Sequence, residues 1–317
     1  MAEDEGGGAA AMEVREFNPE TDSWQVEEVE RWCEAGSSGK VSIFTDLLGD
    51  PLCRVRHFPA FHMLVAEAAP ERRIVGVIRG CLNTVTCGQK LSRLDPTKPP
   101  LPVHTKLAYI LGLRVSPSHR RMGVGKKLVS RMERWFGEKG AAYSYMATES
   151  DNEASVGLFT RRCGYSRFRS LSILVQPVYA HRVRIPRRVA VVSVPPSDAE
   201  LLYRRRFATT EFFPRDIDAV LRHKLHLGTF LAVAGGRRWS WPGCEEFLSA
   251  PPPSWAVVSV WNCKDAFTLE VRGASRGKLA LARATRAVDR ALPWLRLPSV
   301  PNVFRPFGLH FLYGLGG

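Results

Sequence analysis

The chain has 317 residues, 45% of them hydrophobic and 24% charged, and a formal net charge of +14 at pH 7. That size and apolar share fit two packed globular domains and exclude a disordered or fibrous chain. No apolar run approaches the roughly 20 residues of a membrane span, and the opening "MAEDEGGGAAAMEV" has neither the basic start nor the apolar centre of a secretory signal, so no membrane partner is expected.

Residues 1–11 read as a disordered tail. "MEVREF" from Met12 alternates as a first strand, and "TDSWQVEEVERWCEA" (21–35) has the spacing of an amphipathic helix carrying Trp24, Val29 and Trp32. Glu20, Asp22, Glu27, Glu28, Glu30 and Glu34 make that stretch strongly acidic. "FHMLVAEA" (61–68) and "RIVGVIRGCLNTV" (73–85) read as a hairpin, "LSRLDPTKPPLPVHT" (91–105) as a proline-rich loop, and "KLAYILGLRV" (106–115) as the next strand. "GKKLVSRMERWFGEKG" (125–140) sets Leu128, Val129, Met132, Trp135 and Phe136 on one helical face and stops at Gly140. After it come a strand in "YSYMAT" (143–148), a short helix in "NEASVGLFTRRCG" (152–164) and a further strand in "YSRFRSLSILV" (165–175). The alternation predicts an α/β domain over 12–175, a mixed twisted sheet with flanking helices.

Prolines at 177, 186, 195 and 196, with little periodicity, make 176–199 a basic connector. Residues 200–317 then form a second domain. It has helices in "RDIDAVLRHKLH" (215–226) and "KLALARATRAVDRAL" (278–292), a strand in "TFLAVAG" (229–235), a hairpin over 254–273, and a last apolar strand in "GLHFLYGLGG". The order hairpin, strand, glycines repeats that of the first half.

The strand at 106–115 and the helix from 125 are joined by "SPSHRRMGVG". Gly123 and Gly125 let the backbone approach a ligand, and the first N–H groups of the helix lack partners, so the turn suits an anion. A P-loop is excluded because Arg120 stands where its first glycine belongs and Lys127 follows Lys126 instead of Ser or Thr. A dinucleotide fingerprint is excluded by Leu128, where its third glycine belongs. What fits is R-x-x-G-x-G at Arg120, followed by N-E-A-S-x-x-L-F-x-x-x-x-G-Y over 152–165. In order and spacing the two blocks resemble the GCN5-related N-acetyltransferases (GNAT), whose pattern is [QR]-x-x-G-x-[GA] and then Asn, Ala, an aromatic and Gly-[FY]. The resemblance covers 12–175. With "KLHLGTFLAV", the basic linker and "RPFGLHFLYGLGG" it extends over nearly the whole chain to the plant HOOKLESS-like N-acetyltransferases. It implies a GNAT fold followed by a second GNAT-like half that is incomplete at Gly317.

In that family an amine attacks the thioester of acetyl-CoA directly. The resemblance places the N–H groups of Arg121, Met122, Gly123, Val124, Gly125 and Lys126 around the pyrophosphate, with charge from Arg120 and Lys126. It gives Leu113, Arg114 and Val115 to the splayed strand that pairs with pantetheine, an N–H near Leu113 facing the oxyanion. Asn152, Ser155 and Phe159 complete the cofactor contacts, Asn152 serving equally as a helix N-cap. Two departures concern proton transfer. Eleven residues before Arg120, where many relatives keep a Glu, stands Tyr109, a poor base at its ordinary pKa of about 10. Phe159 stands where many relatives have the Tyr that protonates the leaving thiolate, leaving that task to solvent or Tyr165. Tyr109 and Glu149 are the candidate catalytic residues, with Asp151 as a further acid. Core packing and a solvated loop are their competing roles.

Seven cysteines without a C-x-x-C, and His223 with His226 read as a surface pair on a basic helix, give no metal-ligand spacing, so no metal and no disulfide are expected. Residues 176–317 carry 21 Lys/Arg against 10 Asp/Glu, and residues 1–175 carry 24 against 21, so nucleic-acid contact through the basic second half is an option whose mark would be steep salt dependence. The acidic first helix and the resemblance together imply a protein amine as acceptor, a histone lysine being one case. The resemblance also implies a nuclear protein of hormone-responsive differential growth, with the cytoplasm as alternative. A CoA-binding regulator without catalysis is the alternative function.

Overall fold

The computed structural model describes residues 12–33, 42–92, 101–179, 181–236 and 238–317, so the tail expected over 1–11 lies outside the described residues. Two compact units emerge, one from residues 1–35, 47–83 and 105–172, the other from 36–46, 84–104 and 173–317. Among the described residues no helix is long and apolar enough to cross a membrane.

Unit 1 is built on β1 (Met12–Glu16), α1 (Pro19–Trp32), β3 (Ala60–Ala68), β4 (Arg73–Ser92) as far as residue 83, β5 (Leu101–Val115) from residue 105, α2 (Val124–Glu138), β6 (Tyr143–Met146) and α3 (Glu153–Gly157); β2 (Ser42–Asp46) belongs to the other unit. Its sheet runs β1-β3-β4-β5-β6, antiparallel at β1·β3 and β3·β4 and parallel at β5·β6. Asn18 starts α1 by accepting a hydrogen bond from the Glu20 amide at 3.0 Å, with Pro19 following it.

The buried face of α1 differs from the expected one. Asp22, Val26 and Val29 are buried, whereas Trp24 is 66% and Trp32 39% exposed. Asp22 goes inside because Arg15 grips both its oxygens, at 2.6 and 2.9 Å, and also reaches Glu67 at 2.6 Å. Trp32 instead lies under the Arg73 guanidinium, 4.8 Å from its ring centre.

On the other face of the sheet α2 buries Leu128, Val129, Met132 and Phe136, as its periodicity predicts. It sits close because β4 offers glycines there. A β-carbon on Gly80 would lie 2.8 Å from Phe136 and closer still to the Met132 sulfur, and one on Gly76 would lie 2.9 Å from Val124. This contact fixes where the N-terminus of α2 points. The stretch 165–175, expected to be a strand, has no strand partner among the described residues: Leu171, Ile173, Leu174 and Val175 are 72–91% exposed. Its apolar composition fits a strand, but pairing depends on a neighbour and not on composition.

Unit 2 carries a four-stranded antiparallel sheet in the order β11-β9-β8-β7. Its elements are β7 (Val189–Val194), α4 (Pro196–Phe207), α5 (Ile217–Arg222), β8 (His226–Ala234), α6 (Cys244–Ser249), β9 (Trp255–Asn262), β10 (Thr268–Arg272), α7 (Arg276–Ala291) and β11 (His310–Gly316). Thus β7 and the start of α4 lie inside the stretch read as a connector. The hairpin expected over 254–273 is not formed: β10 pairs with β2, from Thr268↔Asp46 to Arg272↔Ser42, and β9 lies between β8 and β11. His223 caps α5 and stacks on Trp261, while His226 opens β8 and meets the Tyr313 hydroxyl at 2.9 Å, so the two do not share a helix.

The two units share a topology. The meander β7-β8-β9-β11 repeats β1-β3-β4-β5, and the last strand of each holds a glycine in the left-handed region, Gly112 at φ +62° and Gly314 at φ +63°. Each glycine is followed by leucine, Leu113 and Leu315.

Candidate active site

The parallel ladder of β5 and β6 runs from Leu107↔Tyr143 to Ile110↔Met146 and stops. Two residues on, Gly112 takes its positive φ, and β5 continues past the end of the β6 ladder through Leu113, Arg114 and Val115. A short 3-10 turn at Pro117–His119 follows, anchored by the Ser116 amide donating to the Val75 carbonyl at 2.8 Å.

Then Arg121 (φ +67°) and Gly123 (φ +83°) enter the left-handed region with Met122 between them. Such alternation turns successive N–H groups toward one side, forming an anion-binding concavity. Gly123 is the N-cap of α2, brings no side-chain cap, and accepts the first helical bond from Lys127 at 3.0 Å. The amides of Val124, Gly125 and Lys126 therefore precede the helical ladder, at the positive end of the helix dipole. A β-carbon on Gly123 would meet no atom within 4 Å, so the space beside it is open. At Gly125 it would lie 3.1 Å from Leu158 and 3.8 Å from Val115, which is where α2 packs on its neighbours. Arg120 turns back to donate from Nε to the Val115 carbonyl at 3.3 Å, while Arg121, Met122 and Lys126 are exposed.

The second block folds as α3 continued by a π-helical turn, Leu158–Arg162. Asn152 caps it, accepting from the Ser155 amide at 3.1 Å. Phe159 is 2% exposed and packs edge-on against Tyr165, ring centres 5.1 Å apart, whose hydroxyl meets Ser144 at 2.8 Å.

The model of the acetyltransferase (GNAT) family matches residues 16–165. "Probable N-acetyltransferase HLS1-like" of Arabidopsis thaliana is 62% identical over 321 residues, covering 96% of this chain and 78% of that protein. The chain belongs to the GNAT acetyltransferase family. "Acetyl transferase GW6a" of Oryza sativa subsp. japonica is 41% identical over 341 residues, covering 96% of this chain and 76% of its own. Among solved structures, the aminoglycoside N-acetyltransferase AAC(6')-Iy in complex with CoA is 16% identical, covering 55% of this chain and 99% of its own, at a TM-score of 0.37. That likeness transfers no residue roles.

Within this GNAT site the other candidate residues take the following places. Phe159 is buried in the core cluster that also holds Val124 and Leu128, with Tyr165 packed against it. Tyr109 stacks on Tyr145 at 4.5 Å, and burial pushes its phenol up against a smaller downward pull from Arg54, so less of it is ionised and ready to take a proton at neutral pH than of a free tyrosine. Burial also raises the Tyr165 phenol, the stand-in proton donor. Glu149 is exposed, its carbonyl accepting the Asn152 amide at 3.1 Å. The side chain of Arg114 leaves the turn and lies 3.2 Å from Glu30.

The acidic character of α1 is largely consumed within the unit. Asp22 and Glu30 are paired inside, Glu27 meets Arg31 at 3.5 Å and Glu28 meets Arg73 at 3.3 Å; Glu34 lies outside the described residues. Sequence reasoning missed Arg79, which is 1% exposed. It donates from Nε to the Pro51 carbonyl at 2.6 Å and from Nη1 to Glu30 at 2.7 Å, and Nη1 lies 3.4 Å from the Gly112 carbonyl. Burial works against ionised Glu30, but the charges of Arg79 and Arg114 outweigh it and hold the carboxyl below its ordinary range. The available signals were an arginine inside the apolar run "RIVGVIRGCL" and a glycine inside "YILGLRV".

Proposed function

We propose that the chain transfers an acetyl group from acetyl-CoA to an amine, with the main-chain amides of 121–126 holding the pyrophosphate. The observation that carries this is the helix start at Gly123, where amides that precede the helical ladder adjoin open space. Acetyl-CoA supplies an acyl carbon already activated as a thioester. The Leu113 amide, just past the positive φ of Gly112, is the group proposed to face the developing oxyanion, a contact worth about 3–4 kcal/mol in other enzymes. The acceptor nitrogen forms the C–N bond as the C–S bond breaks; the electron pair leaves with sulfur, and one proton passes from nitrogen to solvent. Neither Tyr109 nor Phe159 is suited to assist, so the reaction leans on positioning. A protein amine remains the proposed acceptor, but a histone lysine draws little support from α1, whose acids are mostly paired.

Purified chain incubated with labelled acetyl-CoA and a set of amines tests this. Label on an amine supports the proposal, and its absence at every pH from 6 to 9 refutes it. Buried Phe159 and the raised Tyr109 phenol favour one other reading, a regulator that binds CoA without turnover. Micromolar CoA affinity with no transfer would select that reading.

A further inference from the structure

Beside Gly112 of β5, among the described residues, two guanidiniums lean on the single carboxylate of Glu30. Arg79 uses Nε and Nη1, but its Nη2 is buried with no hydrogen-bond partner. Leaving such a donor unpaired costs on the order of 1–3 kcal/mol, more when it is charged. Arg114 leans on the same carboxylate as Arg79, Glu30, and its Nε lies within ion-pair distance yet outside hydrogen-bond geometry. Two guanidiniums thus share one carboxylate.

We infer that the acceptor carries a carboxylate close to its amine, and that Arg79 and Arg114 receive it. This rests on the acetyl-transfer reading. Position supports it, because Arg79 reaches the Gly112 carbonyl and Arg114 is the next residue after Leu113. An amine brought to an acyl carbon held at Leu113 therefore sets its neighbouring groups beside the guanidiniums. The planar guanidinium matches a carboxylate in two-point contact. A lysine flanked by basic residues meets like charge there and is disfavoured. The carboxylate has two sources, the α-carboxylate of a free amino acid or an acidic side chain beside a lysine in a peptide.

The full chain, saturated with acetyl-CoA, is given the free amino acids, the matching amino-acid amides, and lysine peptides flanked by Asp/Glu or by Lys/Arg; products are quantified by mass spectrometry. A second readout needs no turnover: calorimetric binding of N-acetylglutamate and of N-acetylglutamine amide to the CoA-bound chain. The expected result is at least a tenfold preference for carboxylate-bearing members in both readouts, with free amino acids or acidic peptides leading according to the source. Arg114→Gln, at a partly exposed position, should abolish that preference while CoA affinity persists, and Arg114→Lys should restore part of it. CoA binding with no carboxylate preference, or with basic peptides preferred, overturns this inference alone. Failure to bind CoA removes the transfer reading and this inference with it.

Discussion

Replacing Gly123 separates the fold from the anion site. Its φ of +83° costs any residue with a β-carbon roughly 1–2 kcal/mol, and no neighbour lies within 4 Å to add a clash. At about 2–4 °C per kcal/mol for a unit of this size, Gly123→Ala should lower the melting temperature by roughly 2–8 °C. Gly123→Asn should cost less, since asparagine tolerates the left-handed region. Ligand binding should respond far more than folding. In the proposed pose a β-carbon at Gly123 shifts the turn against the pyrophosphate, and a hydrogen bond to a charged group contributes about 1.5–3 kcal/mol, so loss of one amide contact weakens CoA roughly 10- to 150-fold. Gly137→Ala, in the same helix with open space around it, is the control and should leave CoA affinity unchanged. Calorimetry with CoA and thermal melts of the four proteins decide the matter. Folded Gly123→Ala and Gly123→Asn proteins with parental affinity would refute the reasoning.

Glu30→Gln leaves Arg79 and Arg114 without their shared carboxylate and should destabilise unit 1 by about 3–5 kcal/mol in urea titration; a loss under about 1 kcal/mol would show that the buried pair is not a clamp. Acid should weaken unit 1. Glu67 is held low by its hydrogen bond from Arg15, and Asp22 is held low by Arg15, the Asn18 amide and Thr21 acting together against burial. With Glu30 also depressed, the unfolded chain binds more protons near pH 4, so this stability is present above about pH 4–5 and disappears as pH falls through the folded values. Urea midpoints should fall from pH 5 to pH 3, less steeply in Arg15→Gln, and midpoints that stay level would contradict the pairing. In unit 2, fully buried Asp289 accepts from Ser299 at 2.8 Å and bonds His181 Nδ1 at 2.6 Å, so Asp289→Ala should cost about 3–5 kcal/mol, while a neutral result would show the contacts to be idle.

The turn was legible because its chemistry is local. A strand, Arg120, two glycines and a helix whose apolar residues recur at the helical period all lie within 35 residues, and the Asn152 cap acts three residues away at Ser155. What escaped was non-local. Glu30 and Arg79 lie 49 residues apart, so each looks like an ordinary solvated charge until the fold brings them together. Trp24 and Trp32 outweighed Asp22 when the apolar face of α1 was judged by side-chain bulk, yet Arg15 makes the acid the buried residue. The ribbon of β2 and β10 joins residues more than 200 positions apart, while β9 and β10 mimic a hairpin because they follow one another. Topology also carried more than sequence similarity in the internal repeat, which shows in the paired meanders and in Gly112 and Gly314.

Amide hydrogen exchange with and without CoA tests the central claim most directly, because it reads the main chain itself. Bound CoA should slow exchange at residues 121–126 by tenfold or more and protect Leu113. Slowed exchange elsewhere, with 121–126 exchanging as fast as in the free protein, would contradict it.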